Sequence, residues 1–289
     1  MDWSIAGASI QGVSHVKNDI VCQDAIASHR KDNFYGIALA DGAGSLKYSD
    51  IGAQLITKIS LRFVEHNYDA IYDGKINQSE MIDKIENYLV KKAFKLKIKF
   101  EELGSTLQLV CIKDNRFIFI HIGDGVISYV NKTGLVKVLS HPMNGEFSNQ
   151  TFFTTTKYEN RLRLGLGEIK DAQSFILMSD GMSDSFYINK TKQMHTSTSR
   201  FAKFLHIHGV QEAKKWYSNV IKEYIMSRTG DDISLIVIDR NKVNTEMIQA
   251  KSENEVSQQV DTLLNFKENG IIKRIVYYIL GLRNEWIKK

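Results

Sequence analysis

Short apolar runs and longer amphipathic stretches follow one another along the chain, and their spacing predicts most of the secondary structure. Residues 3–9 and 34–41 are apolar and bounded by turn residues, which is typical of strands. Between residues 49 and 66, apolar side chains recur every four positions, and this spacing predicts one face of a helix. A similar pattern predicts a second long helix over residues 78–103, with lysine and glutamate on its surface.

Further strands and helices complete the pattern. The additional predicted strands are residues 105–113, 116–123, 126–131, 135–140, 174–180 and 233–239. Residues 199–207 and 210–228 are predicted to be helical. Because strands and helices are segregated along the chain, the order favours an α+β fold with antiparallel sheets over a fold of βαβ units.

The pattern changes near residue 240. We expect one domain over residues 1–240 and a helical C-terminal tail over residues 241–289. Within the tail, residues 271–282 are apolar but include Lys273 and Arg274. One interpretation is a helix that packs on the body of the protein or on a partner. The other is an amphipathic helix that lies on a membrane surface.

Composition narrows the class of protein. The chain has 289 residues, of which 43% are hydrophobic and 25% charged, as in an ordinary globular protein. Its net charge of +5 is modest and spread out, so we expect no nucleic-acid partner. No apolar run reaches the roughly 18 residues of a transmembrane segment, and the N-terminus does not have the pattern of a secretory signal. Two cysteines are too few for a disulfide framework, which favours a reducing, cytoplasmic location.

Aspartates recur where the predicted strands end or begin. They are Asp24, Asp41, Asp124, Asp180, Asp184, Asp231 and Asp232. A single Asp-Gly pair is often only a turn. If the strands are neighbours, however, the carboxylates converge, repel one another and attract divalent cations. Carboxylate and water ligands suit Mg²⁺ or Mn²⁺, whereas zinc is disfavoured because no Cys/His set is present.

Six short motifs that contain these aspartates occur in one order. They are CQDA (22–25), ADGAGS (40–45), GSTL (104–107), HIGDG (121–125), MSDGMSD (178–184) and GDDIS (230–234). In this order they resemble the metal-dependent protein phosphatases of type 2C, and most of all their short bacterial branch. The resemblance covers about residues 1–240. It implies a four-layer α/β/β/α sandwich in which two antiparallel sheets are flanked by helices.

The resemblance also implies roles for individual residues. Asp41 would bridge two Mg²⁺ or Mn²⁺ ions, with the Gly42 carbonyl on one of them, and Asp180 and Asp231 would hold the other. These three aspartates are the expected catalytic set, because a hydroxide that bridges the ions would attack phosphorus. Two further positions, Asp124 and Asp184, match those that help to bind a third ion in many bacterial members. Near the first motif, Asp24 is an additional candidate metal ligand.

Four positions depart from the family pattern. Ala43 stands where the family often has a histidine that acts as a general acid. Gln23 replaces a glutamate, and Asp232 replaces a common asparagine. No arginine occurs before Asp24, so the phosphate-binding role of the family arginine falls to His15 or Lys17.

Two functions remain open at this point. The first is a serine/threonine phosphatase that hydrolyses phosphoserine or phosphothreonine in a phosphoprotein, with a protein kinase as its natural counterpart in bacterial signalling. The second is a phosphatase-like binding or scaffold module with weak or no turnover, which the departures favour. Residues 185–198 are either a flap that shapes substrate choice or a plain surface loop. We expect His121 to be a packed or hydrogen-bonded core residue.

Overall fold

Two antiparallel sheets of five strands each face one another in the computed structural model, which describes residues 2–143, 151–156 and 161–240. Strands and helices are numbered separately in chain order. The first sheet has the order β1 (Trp3–Ile10), β12 (Ile233–Arg240), β9 (Ala172–Met178), β6 (Val126–Asn131) and β7 (Val136–Ser140). The second sheet has the order β2 (Ala25–Lys31), β3 (Phe34–Ala40), β4 (Leu107–Lys113), β5 (Arg116–Ile122) and β8 (Arg163–Glu168).

Helices cover the outer faces of both sheets. Helix α2 (Ser49–Tyr72) packs on β2, β3 and β4, and α3 (Gln78–Leu96) packs beside α2. On the other side, α5 (Ser199–Val220) packs on β1 and β12. The predicted α+β sandwich of four layers is therefore confirmed. The short helices and strands are α1 (Val13–Lys17), α4 (Asp180–Ser183) and a hairpin of β10 (Tyr187–Ile188) and β11 (Gln193–Met194).

The middle strand β3 shows why the apolar runs in the sequence are continuous. All seven of its residues are buried. Tyr35, Ile37 and Leu39 belong to the core between the two sheets, whereas Phe34, Ala38 and Ala40 belong to the core between the second sheet and its helices. A strand that is buried on both faces needs apolar side chains at every position, so its sequence shows no alternation.

Four of the described strands were not predicted: β2, β8 and the two short strands β10 and β11. Both β2 and β8 lie at the edges of the second sheet. Half or more of each strand is polar or glycine, which weakens the apolar pattern on which strand prediction depends. In β8, Gly165 and Gly167 lie against the rings of Phe119 and Phe117, where a Cβ atom would collide. The two glycines are therefore a requirement of packing, although in the sequence they are typical of a loop.

The ends of several helices also differ from prediction. The helix predicted over residues 78–103 ends at Leu96, because Lys97 adopts a left-handed backbone with φ of 57°, and a separate 3-10 turn follows at Phe100–Leu103. The predicted break between two helices near residue 209 is confirmed, since Gly209 has φ of 76° within α5. Beyond Val220 the chain forms one turn of π-helix at Ile221–Ile225.

Across the described ranges, each helix is too short or too polar to cross a lipid bilayer. The predictions for the tail at residues 241–289, including the amphipathic segment 271–282, lie outside the described residues.

The core between the sheets centres on an aromatic cluster, which generates a stability prediction. Phe175 is fully buried, and its ring lies 5.1 Å from that of Phe117 and 6.4 Å from those of Trp3 and Tyr129. We expect Phe175→Ala to lower the free energy of unfolding by about 3–5 kcal/mol, because the cavity cannot close between two sheets. Urea denaturation measures this. As a control, Phe94→Ala should change stability by no more than about 0.5 kcal/mol, because Phe94 is 84% exposed.

Candidate metal centre

The aspartates come together because four strands end or begin at the same edge of the sandwich. Asp41 follows β3 and Asp124 follows β5, which run in the same direction in the second sheet. In the first sheet, Asp180 follows β9, and Asp231 precedes its antiparallel neighbour β12. Stacking of the two sheets therefore places two aspartates from each sheet at one cleft.

The cleft has a volume of about 470 Å³ and is lined by all four of these aspartates. Carboxylate oxygens of Asp41, Asp124 and Asp180 lie within 4.8 Å of one another. Among the described lining residues, His15 carries the one basic side chain. The cleft therefore concentrates negative charge with very little positive charge to balance it.

The backbone fixes the first of these aspartates rigidly. The Asp41 amide donates to the Thr106 hydroxyl over 2.8 Å, and the Asp41 carbonyl accepts from the Thr106 amide over 2.8 Å. Next in the chain, the Gly42 amide donates to the Gln23 carbonyl. A Cβ at Gly42 would lie within 2.9 Å of Ser49 and Gln23 atoms, so only glycine lets these segments approach. The predicted carbonyl ligand at Gly42 thus lies in the wall of the cleft.

A second glycine, Gly123, is required in the turn that follows β5 in the second sheet. Gly123 has φ of 108°, a conformation that side chains rarely allow, and this turn presents Asp124 to the cleft. The Thr151 hydroxyl donates to Asp124 over 2.6 Å. Sequence analysis did not identify Thr151, because it lies outside every motif and only the fold brings it to the cleft.

Crowding shifts the protonation of the carboxylates. Burial and the charges of Asp24, Asp180 and Asp231 raise the pKa of Asp41 well above its usual range. Burial, with the charges of Asp124 and Asp231, raises the pKa of Asp180 to about 6. Each ionised carboxylate thus disfavours ionisation of its neighbours, and bound cations would relieve this repulsion.

Asp24 is buried and does not line the cleft. Burial, followed by the charges of Asp232 and Asp180, raises the pKa of Asp24 to about 8, and the nearby hydroxyls of Ser234 and Ser179 limit this rise. Neither carboxylate oxygen has a hydrogen bond of good geometry among the described groups. The neighbouring Gln23 donates from its amide to the Ser49 hydroxyl over 2.8 Å, and its Oε1 is buried without a described partner.

This donor set fits hard divalent cations. Oxygen atoms from three carboxylates can converge on one point, and further buried oxygens of Gln23 and Asp24 have no described donor. Magnesium and manganese prefer such oxygen ligands. Asp184, also an expected ligand, is exposed and does not line the cleft, although partial burial of its carboxylate and the charges of Asp124 and Asp231 raise its pKa.

Asp232 turns away from this cluster and binds the loop that carries His15. Its side chain is 1% exposed and accepts backbone N–H groups of Gly12 over 2.7 Å and of Gln23 over 2.6 Å. The Nδ1 atom of His15 lies 2.9 Å from Asp232 Oδ1. Nδ1 is buried and has no aligned hydrogen-bond partner among the described residues, so this contact is electrostatic.

Only one of the two candidate phosphate-binding residues lines the cleft. His15 lines the cleft, whereas Lys17 is exposed and does not line it. Both lie on α1, which the Ser14 amide ties to the Gly230 carbonyl over 3.0 Å. Ala43 also lines the cleft, but its methyl group cannot donate a proton.

Two further predictions concern residues around the cleft. His121 is confirmed as a core residue, since it is fully buried with Nδ1 2.7 Å from the Ser140 hydroxyl. Burial lowers the pKa of His121 to about 3, so the ring stays neutral. The region 185–198 contains the β10–β11 hairpin and is therefore ordered, with the Tyr187 hydroxyl 2.9 Å from His141 Nδ1.

Comparison with known proteins agrees with this arrangement. Residues 11–222 match the sequence profile described as Protein phosphatase 2C. The chain is 28% identical to serine/threonine-protein phosphatase 3 of Escherichia coli K12 over 166 residues, which is 54% of this chain and 64% of that protein. The aligned part thus spans less than two thirds of that relative.

Solved structures share the fold at low sequence identity. A bacterial serine phosphatase with a point substitution has a TM-score of 0.57 and 15% identity, over 83% of this chain and 100% of that one. RsbX in complex with magnesium has a TM-score of 0.50 and 15% identity, over 82% of this chain and 94% of that one. Because the profile matches most of the sequence, the chain belongs to the protein phosphatase 2C family.

Proposed function

We propose that this chain is a metal-dependent serine/threonine protein phosphatase that hydrolyses phosphoserine and phosphothreonine in phosphoproteins. The observation that carries the proposal is the cleft in which Asp41, Asp124 and Asp180 approach within 4.8 Å and Asp231 joins them. Family membership supports the reaction class, and the curated relative from Escherichia coli is named for the same activity.

The ligand assignment follows the family resemblance and is supported by the aspartates that line the cleft. Asp41 and the Gly42 carbonyl would hold the first ion of a two-ion centre, and Asp180 and Asp231 would hold the second from the opposite sheet. Asp124 would help to hold a third ion together with Asp184, which lies outside the lining of the cleft. Mg²⁺ or Mn²⁺ bound there supplies a nucleophilic water of lowered pKa and neutralises charge on the phosphoryl oxygens. The magnesium in the RsbX structure supports this choice of ion.

His15 is the phosphate-binding group of the proposed enzyme. It is the one basic side chain that lines the described cleft, and its Nδ1 lies 2.9 Å from the Asp232 carboxylate. Because Nδ1 is buried, Nε2 is the ring nitrogen that would donate to a phosphoryl oxygen.

A binding module with weak turnover is the second candidate, and a specific feature favours it. Ala43 lines the cleft at the position where the family often has a general acid, so no side chain there can protonate the leaving alkoxide. Under this alternative the cleft would still bind cations and a phosphorylated partner. Turnover is therefore the property that separates the two candidates.

The proposed activity also indicates a partner. Because a phosphoprotein phosphatase removes the phosphate groups that a protein kinase adds, we infer a protein kinase as its counterpart.

The two cysteines bear on the location of the proposed enzyme. Both are free thiols, and burial raises the pKa of Cys22 to about 11, so it remains protonated and unreactive. Two unpaired cysteines support a reducing, cytoplasmic location.

Substitution at Asp180 tests the proposed enzyme. We expect Asp180→Asn to abolish metal-dependent hydrolysis of p-nitrophenyl phosphate and of a phosphothreonine peptide, because the amide removes a charge that holds the cation. The assay compares Mn²⁺, Mg²⁺ and EDTA. The matched control is Asp171→Asn, an exposed carboxylate at the other end of β9, which should retain full activity.

Full metal-dependent activity in Asp180→Asn would rule out the ligand assignment. If wild-type protein shows no more turnover than Asp180→Asn, while isothermal titration still detects Mn²⁺ binding, the binding-module candidate replaces the enzyme.

The role of His15 has its own test. We expect His15→Ala to lower kcat/KM by about 10- to 100-fold, because a hydrogen bond to a charged phosphoryl group is lost. Lys17→Ala, on the exposed side of the same helix, should leave kcat/KM unchanged. Asp232→Asn should also lower kcat/KM, with Asp19→Asn in the exposed loop as its control. An unchanged kcat/KM in His15→Ala would show that the phosphate is bound elsewhere.

A further inference from the structure

The C-terminal end of α3 exposes apolar and basic side chains together. Phe94 is 84% exposed and Leu96 is 50% exposed, and Tyr88 and Val90 are exposed by 54% and 44%. Five lysines surround them on the same stretch of chain, and all are exposed. They are Lys91, Lys92, Lys95, Lys97 and Lys99. We call these nine residues the α3 surface.

The fold does not need these side chains for its own packing. Helix α3 already buries a full apolar stripe, which consists of Met81, Ile82, Ile85, Leu89 and Ala93. Val90 and Phe94 are four residues apart, so they lie together on a side of the helix that the core does not use. An exposed phenylalanine beside an exposed valine therefore calls for a partner outside the described core.

The lysines of the α3 surface are unpaired among the described residues, although the half-buried Glu86 and the exposed Glu101 flank them in the sequence. None of the five lysines forms an ion pair with a carboxylate of the described residues, whereas Lys84 in the first half of the helix pairs with Glu80 over 2.6 Å. The helix dipole favours positive charge only within the last turn, so it accounts for Lys95 and Lys97 but not for Lys91, Lys92 and Lys99. Five like charges in nine residues repel one another, and an anionic partner would relieve this repulsion.

We propose that the α3 surface docks on an anionic lipid membrane. The mixture of projecting apolar side chains and lysines suits a lipid interface, where Phe94 and Leu96 enter the acyl boundary and the lysine ammonium groups contact phosphate headgroups. Phe94 exposes most of its side chain at the end of the helix, and a lipid layer can deform around such a side chain. An acidic protein would instead need a matching pocket for the ring.

The position of the α3 surface gives the contact a functional consequence. From Lys99 the chain passes through the short turn Phe100–Leu103 to Gly104, whose carbonyl accepts the Ala43 amide over 3.0 Å. The α3 surface is thus joined through a few residues to the wall of the aspartate cleft. Docking would hold the cleft close to phosphorylated proteins at the membrane surface, although the lipid contact itself does not depend on catalysis.

Vesicle sedimentation with the full chain tests the proposal. The probes are vesicles of phosphatidylcholine alone and vesicles of phosphatidylcholine mixed with phosphatidylglycerol. We expect binding only to the mixed vesicles, with an affinity that falls as salt is raised. Replacing Lys91, Lys95 and Lys99 with glutamine should weaken partition by about 100-fold, and Phe94→Ser should weaken it by about tenfold.

Matched controls separate the α3 surface from general positive charge and from exposed apolar side chains elsewhere. Lys190, Lys214 and Lys222 are exposed lysines elsewhere, and their triple replacement by glutamine changes the net charge equally. Ile207→Ser removes an apolar side chain that is 54% exposed on α5. Both controls should bind the mixed vesicles like the wild type, and circular dichroism should show all variants folded.

Three outcomes would overturn the proposal. One is wild-type protein that does not sediment with mixed vesicles. Another is a set of α3 variants that bind as well as the wild type, which would assign any binding to another part of the chain. The third is binding to polyglutamate that depends on the α3 surface, without binding to vesicles, which would assign it to an acidic protein. None of these depends on phosphatase activity.

Discussion

Repulsion between carboxylates is the constraint on which the functional edge of this protein depends. Two stacked sheets bring Asp41, Asp124, Asp180 and Asp231 to one cleft, and the charges there raise the pKa values of Asp41 and Asp180. A fold tolerates such crowding only if the loops are held firmly and the charge is compensated. Divalent cations are the positive charges that these oxygen ligands fit best. The same cations would relieve the repulsion between the carboxylates and supply the chemistry of the cleft.

The loops are held by hydrogen bonds to backbone groups around the cleft. Asp232 accepts backbone groups from Gly12 and Gln23, and the Asp41 backbone pairs with Thr106 in both directions. Because a buried carboxylate with several donors is strongly fixed, Asp232 joins three separate segments of the chain at one point. Asp232 therefore fixes the loops and also contacts His15. We expect a substitution at Asp232 to change both the position of the loops and that of His15.

Phosphate recognition is one place where the proposed enzyme is expected to depart from the pattern of its family. Four motif aspartates line the cleft, and His15 lines it in a chain that has no arginine before Asp24. Imidazole presents one N–H at a time and cannot match the two parallel hydrogen bonds of a guanidinium group. Weaker but adjustable phosphate binding is the expected consequence, and docking at a membrane would compensate by raising the local concentration of substrate.

Sequence alone determined the fold class, the central strands and the aspartates of the cleft. Apolar runs such as β3 are long enough to be unambiguous, and an Asp-Gly pair directly after a buried strand marks a position at the sheet edge. The sequence pattern did not predict β2 and β8, because these edge strands carry polar residues and glycines. Only the tertiary structure separated His15 from Lys17, brought Thr151 to Asp124 and turned Asp232 away from the cluster. Those outcomes depend on contacts between segments far apart in the chain, which local spacing does not encode.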